Sequence, residues 1–156
     1  MEQLQQIKTW LLHHTKSSAD KIVSQEKARG YLVLFEGTGT NKITTAETLG
    51  KEFNKEVHRV ILSELVSKYI GETEKNLERV FIKAAKNNWV LFFDEADALF
   101  GKRTGIKDSH DRYANQEVSY LLQKIEDYPG LVIIATNGKK NFDKAFIRRF
   151  QVVVHF

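Results

Sequence analysis

Tyr31-Leu32-Val33-Leu34-Phe35 is a run of five apolar residues closed by a glycine-containing turn. A run this short, with no polar face, predicts a β-strand covered on both sides. Trp89 to Phe93 and Leu131 to Ala135 read the same way, while Val57 to Leu62 and Val152 to Phe156 predict two further strands. The segments between them carry helical spacing. Leu77, Val80, Phe81, Ala84 and Ala85 fall at i, i+3, i+4, i+7 and i+8, an amphipathic helix. Leu49 and Phe53 mark one face of a helix after the first run. Val118, Leu121, Leu122 and Ile125 mark another, stopped by Pro129-Gly130, and Phe142 to Arg149 predicts a short one. At the start, Leu4, Ile7, Trp10 and Leu11 predict a short amphipathic helix, followed by a polar linker from Thr15 to Arg29. Gly101 to Arg112, charged and glycine-bearing, reads as a loop.

Strands alternating with helices imply an α/β fold with a parallel sheet covered on both faces. The expected architecture is a three-layer αβα sandwich around a mainly parallel, five-stranded sheet. Leu32–Phe35, Val90–Phe93 and Val132–Ile134 should be its central strands. Residues 1–29 form the N-terminal helix and linker, and residues 30–156 the core. Ligands of such sheets bind at the carboxyl ends of the strands. The polar residues fall there: Gly37 to Lys42, Asp94-Glu95 and Thr136-Asn137.

Composition narrows the setting. A chain of 156 residues suits one domain with a real core. Its 24 basic residues are nearly balanced by 20 acidic ones, and no basic stripe with interleaved aromatics accompanies them, so nucleic acid is not expected as a partner. Without cysteine there is no disulfide framework and no thiolate metal site. The first residues lack a signal-peptide layout, and no apolar run approaches the roughly 20 residues needed to cross a bilayer. A cytoplasmic protein is expected, with no membrane partner.

Adjacent carboxylates at the tip of a buried strand, as at Asp94-Glu95, are costly unless a cation balances them. Mg²⁺ with a nucleotide is one solution and a nearby Lys or Arg is the plainer one. In phosphoryl-transfer sites the first carboxylate holds the metal, usually through water, and the second can orient the attacking water.

Four tracts, one of them holding Asp94-Glu95, resemble the AAA-type ATPases, in family order and at family-like spacing. Ser67-Lys68-Tyr69-Ile70-Gly71-Glu72-Thr73-Glu74 resembles the first pore loop and the helix after it. Phe92 to Phe100 resembles the Walker B segment, Ala135-Thr136-Asn137 the sensor-1 strand end, and Asp143 to Phe150 the segment bearing arginine fingers. The closest likeness is to bacterial single-ring members. The resemblance implies ATP and Mg²⁺ as cofactors, with Asp94 serving the metal, Glu95 polarising the hydrolytic water and Asn137 positioning it. Arg148 and Arg149 would reach a neighbouring subunit's site, and Tyr69 and Ile70 would grip a protein substrate in a pore. It further implies a homo-oligomeric ring for the full-length protein, and ATP hydrolysis coupled to remodelling of a protein partner. Plainer readings stand beside these: Asn137 as a strand-end cap, the arginines as solvated helix-end charges, and Tyr69-Ile70-Gly71 as an ordinary turn.

The phosphate loop departs from the pattern G-x-x-x-x-G-K-[ST]. Its cofactor-binding candidates are Gly37, Thr38, Gly39, Thr40, Asn41, Lys42 and Thr44. With Lys42 aligned, the loop is one residue short, Asn41 replaces the second glycine, and Ile43 replaces the metal-binding hydroxyl. Thr44-Thr45-Ala46-Glu47 also matches a capping box, which would start the helix after Lys42. The resemblance implies a helical lid after the last strand; the sequence ends at Phe156, so the lid is expected to be missing from it. A nucleotide-deficient subunit with a scaffolding role is therefore the alternative function.

Overall fold

The computed structural model describes residues 2–16, 30–65, 72–100, 109–137 and 144–156. Five strands form a single sheet: β1 (Tyr31–Glu36), β2 (Val57–Ile61), β3 (Val90–Asp94), β4 (Leu131–Ala135) and β5 (Val152–His155). Their order is β2-β3-β4-β1-β5, and every pairing is parallel. The three all-apolar runs are the three inner strands, as their lack of a polar face requires. β2 and β5, each with an exposed position, Arg59 and His155, take the edges.

Side chains alternate across the sheet and build a core on each face. On one face Leu32, Leu34, Leu91, Phe93, Val132 and Ile134 pack against α4 (Glu72–Asn87) and α6 (Ser109–Asp127), through Leu77, Phe81, Ala84, Leu121 and Ile125. On the other, Val33, Phe35, Val90, Phe92, Ile133 and Val154 meet α1 (Glu2–Lys16) and α2 (Lys42–Glu52), through Ile7, Leu11, Ala46 and Leu49. The result is the expected three-layer sandwich. The N-terminal helix is part of it, since Ile7 and Leu11 are fully buried and Lys8 reaches Glu52 of α2 at 3.2 Å.

Several boundaries differ from the sequence reading. α6 begins at Ser109, so the expected loop from Gly101 to Arg112 gives way to helix for its last four residues. Leu62 leaves β2 to open a one-turn helix, α3 (Leu62–Leu65), and a second such turn, α5 (Asp97–Phe100), follows β3. Trp89 and Phe156 flank strands without joining them, and the last short helix, α7 (Lys144–Ile147), ends before Arg148, while Phe142 and Asp143 lie outside the described residues. Four-residue turns carry too little periodicity to read from spacing. The ends of α2 and α4 use asparagine instead, with Asn54 and Asn88 both at φ 55°, a left-handed conformation asparagine tolerates well.

At the end of the sheet opposite the loop, the Tyr128 hydroxyl donates to the Trp89 carbonyl at 2.5 Å. Burial pushes its pKa up to about 12. A phenol with a raised folded pKa contributes stability that is fully present below its unfolded value near 10 and lost as pH climbs toward about 12. Urea unfolding between those limits should therefore show stability falling with pH in the wild type, and a shallower fall in Tyr128→Phe. Equal slopes would remove Tyr128 as the cause.

Candidate functional site

The loop after β1 and the head of α2 form one side of the site. Lys42 is the first residue of α2, and the Thr45 N–H closes the first helical bond onto the Asn41 carbonyl at 2.9 Å. The expected capping box at Thr44 does not form. Thr44 lies exposed inside the helix, its carbonyl taken by the Thr48 hydroxyl at 2.8 Å. Packing explains the earlier start. The buried face of α2 runs Lys42, Ala46, Leu49, Gly50, and that helical repeat begins at Lys42. Asn41 occupies the N-cap position but makes no side-chain cap bond, so the leading amides of α2 gain no side-chain acceptor there.

Two glycines seat this loop against the end of β5. Gly37 has φ +124°, and a Cβ there would fall on the Phe156 carbonyl; at Gly39 it would press the Phe156 Cβ at 3.0 Å. Phe156 is held in place by its own N–H, which donates to the Glu36 carbonyl at 2.7 Å, and by its ring against Phe35. Thr38, Thr40 and Asn41 are exposed. Lys42 is only 8% exposed, and its ammonium donates to the Gly37 carbonyl across the loop. Burial lowers its pKa, while the charges of Asp94 and Asp97 push the other way. Those two carboxylates therefore share the lysine's electrostatic neighbourhood.

The ends of β3 and β4 form the other side. Asp94 closes β3, and its Oδ2 accepts from Arg59 twice, Nε at 3.0 Å and Nη2 at 2.5 Å. Its Oδ1 accepts from the Glu95 N–H at 2.8 Å. Glu95 sits at φ 54°, a left-handed conformation uncommon for residues with a side chain, and its carboxylate accepts from the Ser63 hydroxyl. Asp97 reaches across to the next strand end, where its Oδ2 accepts from the Asn137 N–H at 3.0 Å. Asn137 itself is exposed. The second oxygen of Asp97 and the Thr136 hydroxyl are buried without a hydrogen-bond partner, two polar atoms at this junction with capacity to spare.

Arg59, Ser63 and Asp97 escaped the sequence reading. Only Asp97 left a signal, as a third carboxylate after the apolar run. Arg59 depends on register: Ile61 pairs with Asp94 and Arg59 with Phe92, so Arg59 lies on the same sheet face one diagonal step away.

The two arginines part company. Arg149 pairs with Glu126 of its own chain, whereas Arg148 is exposed, with no ion pair among the described residues. Tyr69 and Ile70 lie outside the described residues.

The donors are of the kind a polyphosphate takes: the Lys42 ammonium lies over a glycine-containing loop at the head of α2, whose leading amides gain no side-chain acceptor from Asn41. A magnesium ion does not fit the donors as arranged. Ile43 offers no oxygen, Asp94 is already bonded on both of its oxygens, and a guanidinium and an ammonium stand beside it.

A parallel sheet with a lysine-headed helix after β1 and a carboxylate at the tip of β3 defines a phosphate-loop nucleotide-binding core. The sequence profile of the ATPase family associated with various cellular activities (AAA) matches residues 32–156, and the chain belongs to that family. Among curated relatives it is similar to a cell division cycle protein 48 homolog of Archaeoglobus fulgidus, 38% identical over 122 residues, 75% of this chain and 16% of that protein. It is also similar to the uncharacterized AAA family ATPase y4kL of Sinorhizobium fredii, 36% identical over 132 residues, 83% of this chain and 39% of that protein. A proteasome-activating nucleotidase of Methanococcus vannielii is 32% identical over 130 residues, 79% of this chain and 32% of that protein. The chain thus spans well under half the length of these relatives. Among the described residues no helix is long and apolar enough to cross a membrane.

Proposed function

We propose that the cleft between the Gly37–Lys42 loop and the ends of β3 and β4 binds ATP. Its hydrolysis there drives remodelling of a protein partner by a cytoplasmic homo-oligomeric ring. The observation that carries this reading is Lys42: a buried lysine at the head of α2, its ammonium over the phosphate loop and Asp94 and Asp97 close enough to act on it. Burying an ammonium is unfavourable by itself, and an anionic ligand repays it. Lys42 neutralises the phosphates, Glu95 polarises water once released from Ser63, and Asn137 positions that water. Arg148 serves as the finger offered to a neighbour in preference to Arg149, which Glu126 holds. Tyr69 and Ile70 grip the polypeptide. Magnesium, implied at Asp94 by the sequence resemblance, has no place while Arg59 occupies that carboxylate, and turnover by this chain is slow.

Equilibrium binding of a non-hydrolysable ATP analogue tests the reading. Lys42→Met should weaken binding by at least about tenfold, about 1.4 kcal/mol, with an unchanged far-ultraviolet spectrum. Glu95→Gln should bind normally and lose most of whatever turnover the wild type has, on the order of 10²-fold. Equal binding by the wild type and Lys42→Met would sink it. Ile43 and the Arg59–Asp94 pair favour a second reading, a nucleotide-deficient subunit that lends Arg148 to a competent neighbour. No measurable binding by the wild type would select that one.

A further inference from the structure

We propose that Arg59 is the resident counter-cation of Asp94, and that this chain takes its nucleotide without a divalent metal. The inference rests on the nucleotide-binding reading above and deepens it. Three of the roughly four acceptor positions of the Asp94 carboxylate are filled, two by Arg59 and one by the Glu95 N–H. The pair is built into the sheet. β2 is the edge strand beside β3, and its register sets Arg59 diagonal to Asp94 on the face that α2 covers, so the long side chain runs along the sheet to the strand tip. Asp94 is the more enclosed partner, 21% exposed against 47% for Arg59. An exposed pair of this kind is worth little to the fold, about 0–1 kcal/mol. Its consequence for an incoming ion is larger.

A magnesium ion demands oxygen ligands in near-octahedral order and gives up water reluctantly. To reach Asp94 it must displace or crowd a guanidinium, with the Lys42 ammonium on the same side. The position that would supply a hydroxyl ligand is Ile43. Every feature acts in one direction: the positive charge a metal would bring is already provided by side chains. Lys42 and Arg59 then neutralise the polyphosphate, and Asp94 anchors Arg59 instead of an ion.

Titration calorimetry with a non-hydrolysable ATP analogue, in excess Mg²⁺ or in EDTA, reads this directly. The ¹³C-carboxyl resonance of Asp94 is followed alongside. Wild type should bind equally in both buffers, within about twofold, and its Asp94 resonance should stay in place when Mg²⁺ is added. Arg59→Met should bind about tenfold tighter with Mg²⁺ than without, about 1.4 kcal/mol, and its Asp94 resonance should move. Wild type binding about tenfold tighter in Mg²⁺, or the Asp94 resonance responding equally in both proteins, overturns the proposal. If neither protein binds the analogue in either buffer, the nucleotide reading fails alone. The response of Asp94 to Mg²⁺ by itself then decides: movement only in Arg59→Met upholds the role of Arg59, and equal responses refute it.

Discussion

Rebuilding the phosphate loop is expected to raise affinity for an ATP analogue by at least about tenfold, about 1.4 kcal/mol. The variant is one residue longer between Gly37 and Lys42 and carries Asn41→Gly and Ile43→Thr. Each change acts through a contact identified in the structure. A longer loop turns more amides inward. Glycine at the N-cap position removes a Cβ from the phosphate path without forfeiting a cap bond, because Asn41 makes none. A longer loop also frees the Lys42 ammonium from the Gly37 carbonyl, its present partner. Threonine restores a hydroxyl on the first turn of α2. Titration in EDTA isolates the gain from amides and lysine. Repeating it in Mg²⁺ with Arg59→Met added isolates the gain from the hydroxyl. Wild-type affinity already in the low micromolar range would show that the short loop is no handicap.

Gly37→Ala is expected to destabilise the fold by roughly 2–4 kcal/mol, from a forbidden backbone angle and an overlap that cannot be relieved locally. At φ +124° a residue with a Cβ is strained wherever it points, and here it points at the main-chain carbonyl of Phe156. Turning that carbonyl does not relieve the overlap, because the added Cβ also lies 3.1 Å from the Phe156 nitrogen, and that residue is anchored through its N–H to Glu36 and its ring to Phe35. Gly39→Ala is the internal comparison. Its added Cβ meets the Phe156 Cβ at 3.0 Å and needs no unusual backbone, so a penalty of about 1 kcal/mol is expected. Urea unfolding of the two variants should rank them in that order. Analogue binding should fall further in Gly37→Ala than in Gly39→Ala. Identical midpoints would mean that β5 does not brace the loop.

What could be read in advance follows from how local each signal is. Leu32–Phe35, Val90–Phe93 and Val132–Ile134 announce inner strands because a short run without a polar face has nowhere to sit but between two layers. The helices around Leu77 and Leu121 are legible because their apolar residues recur at i, i+3, i+4 and i+7, one buried face opposite a polar one. Thr44 misled because its capping box is a purely local pattern, and the burial of Lys42 with Ala46 and Leu49 overrides it. Arg59 was illegible in principle. Nothing near it in sequence points to Asp94, and only strand order and register bring the two together. The same holds for Asp97 and Asn137, separated by 40 residues and joined by one hydrogen bond. α5 is too short to leave a period, and the first turn of α6 is polar throughout, Ser109-His110-Asp111-Arg112.

Strand order also fixes when the site can exist during synthesis. β1 leaves the ribosome first of these five strands, yet both of its neighbours, β4 and β5, come last; Leu34 waits about 100 residues for Ile134. β2, β3 and β4 adjoin in sequence order and can zip together as they emerge, which costs little loop entropy. The strand that carries the phosphate loop must then be inserted between an existing sheet edge and β5. The edges of β1, wholly apolar between Leu32 and Phe35, stay unpaired until β4 and β5 emerge, the period in which such a strand is most prone to pair with another chain. Folding of this chain is thus gated by the same strand that bears its phosphate loop, and the site is completed only once β1 is seated between β4 and β5.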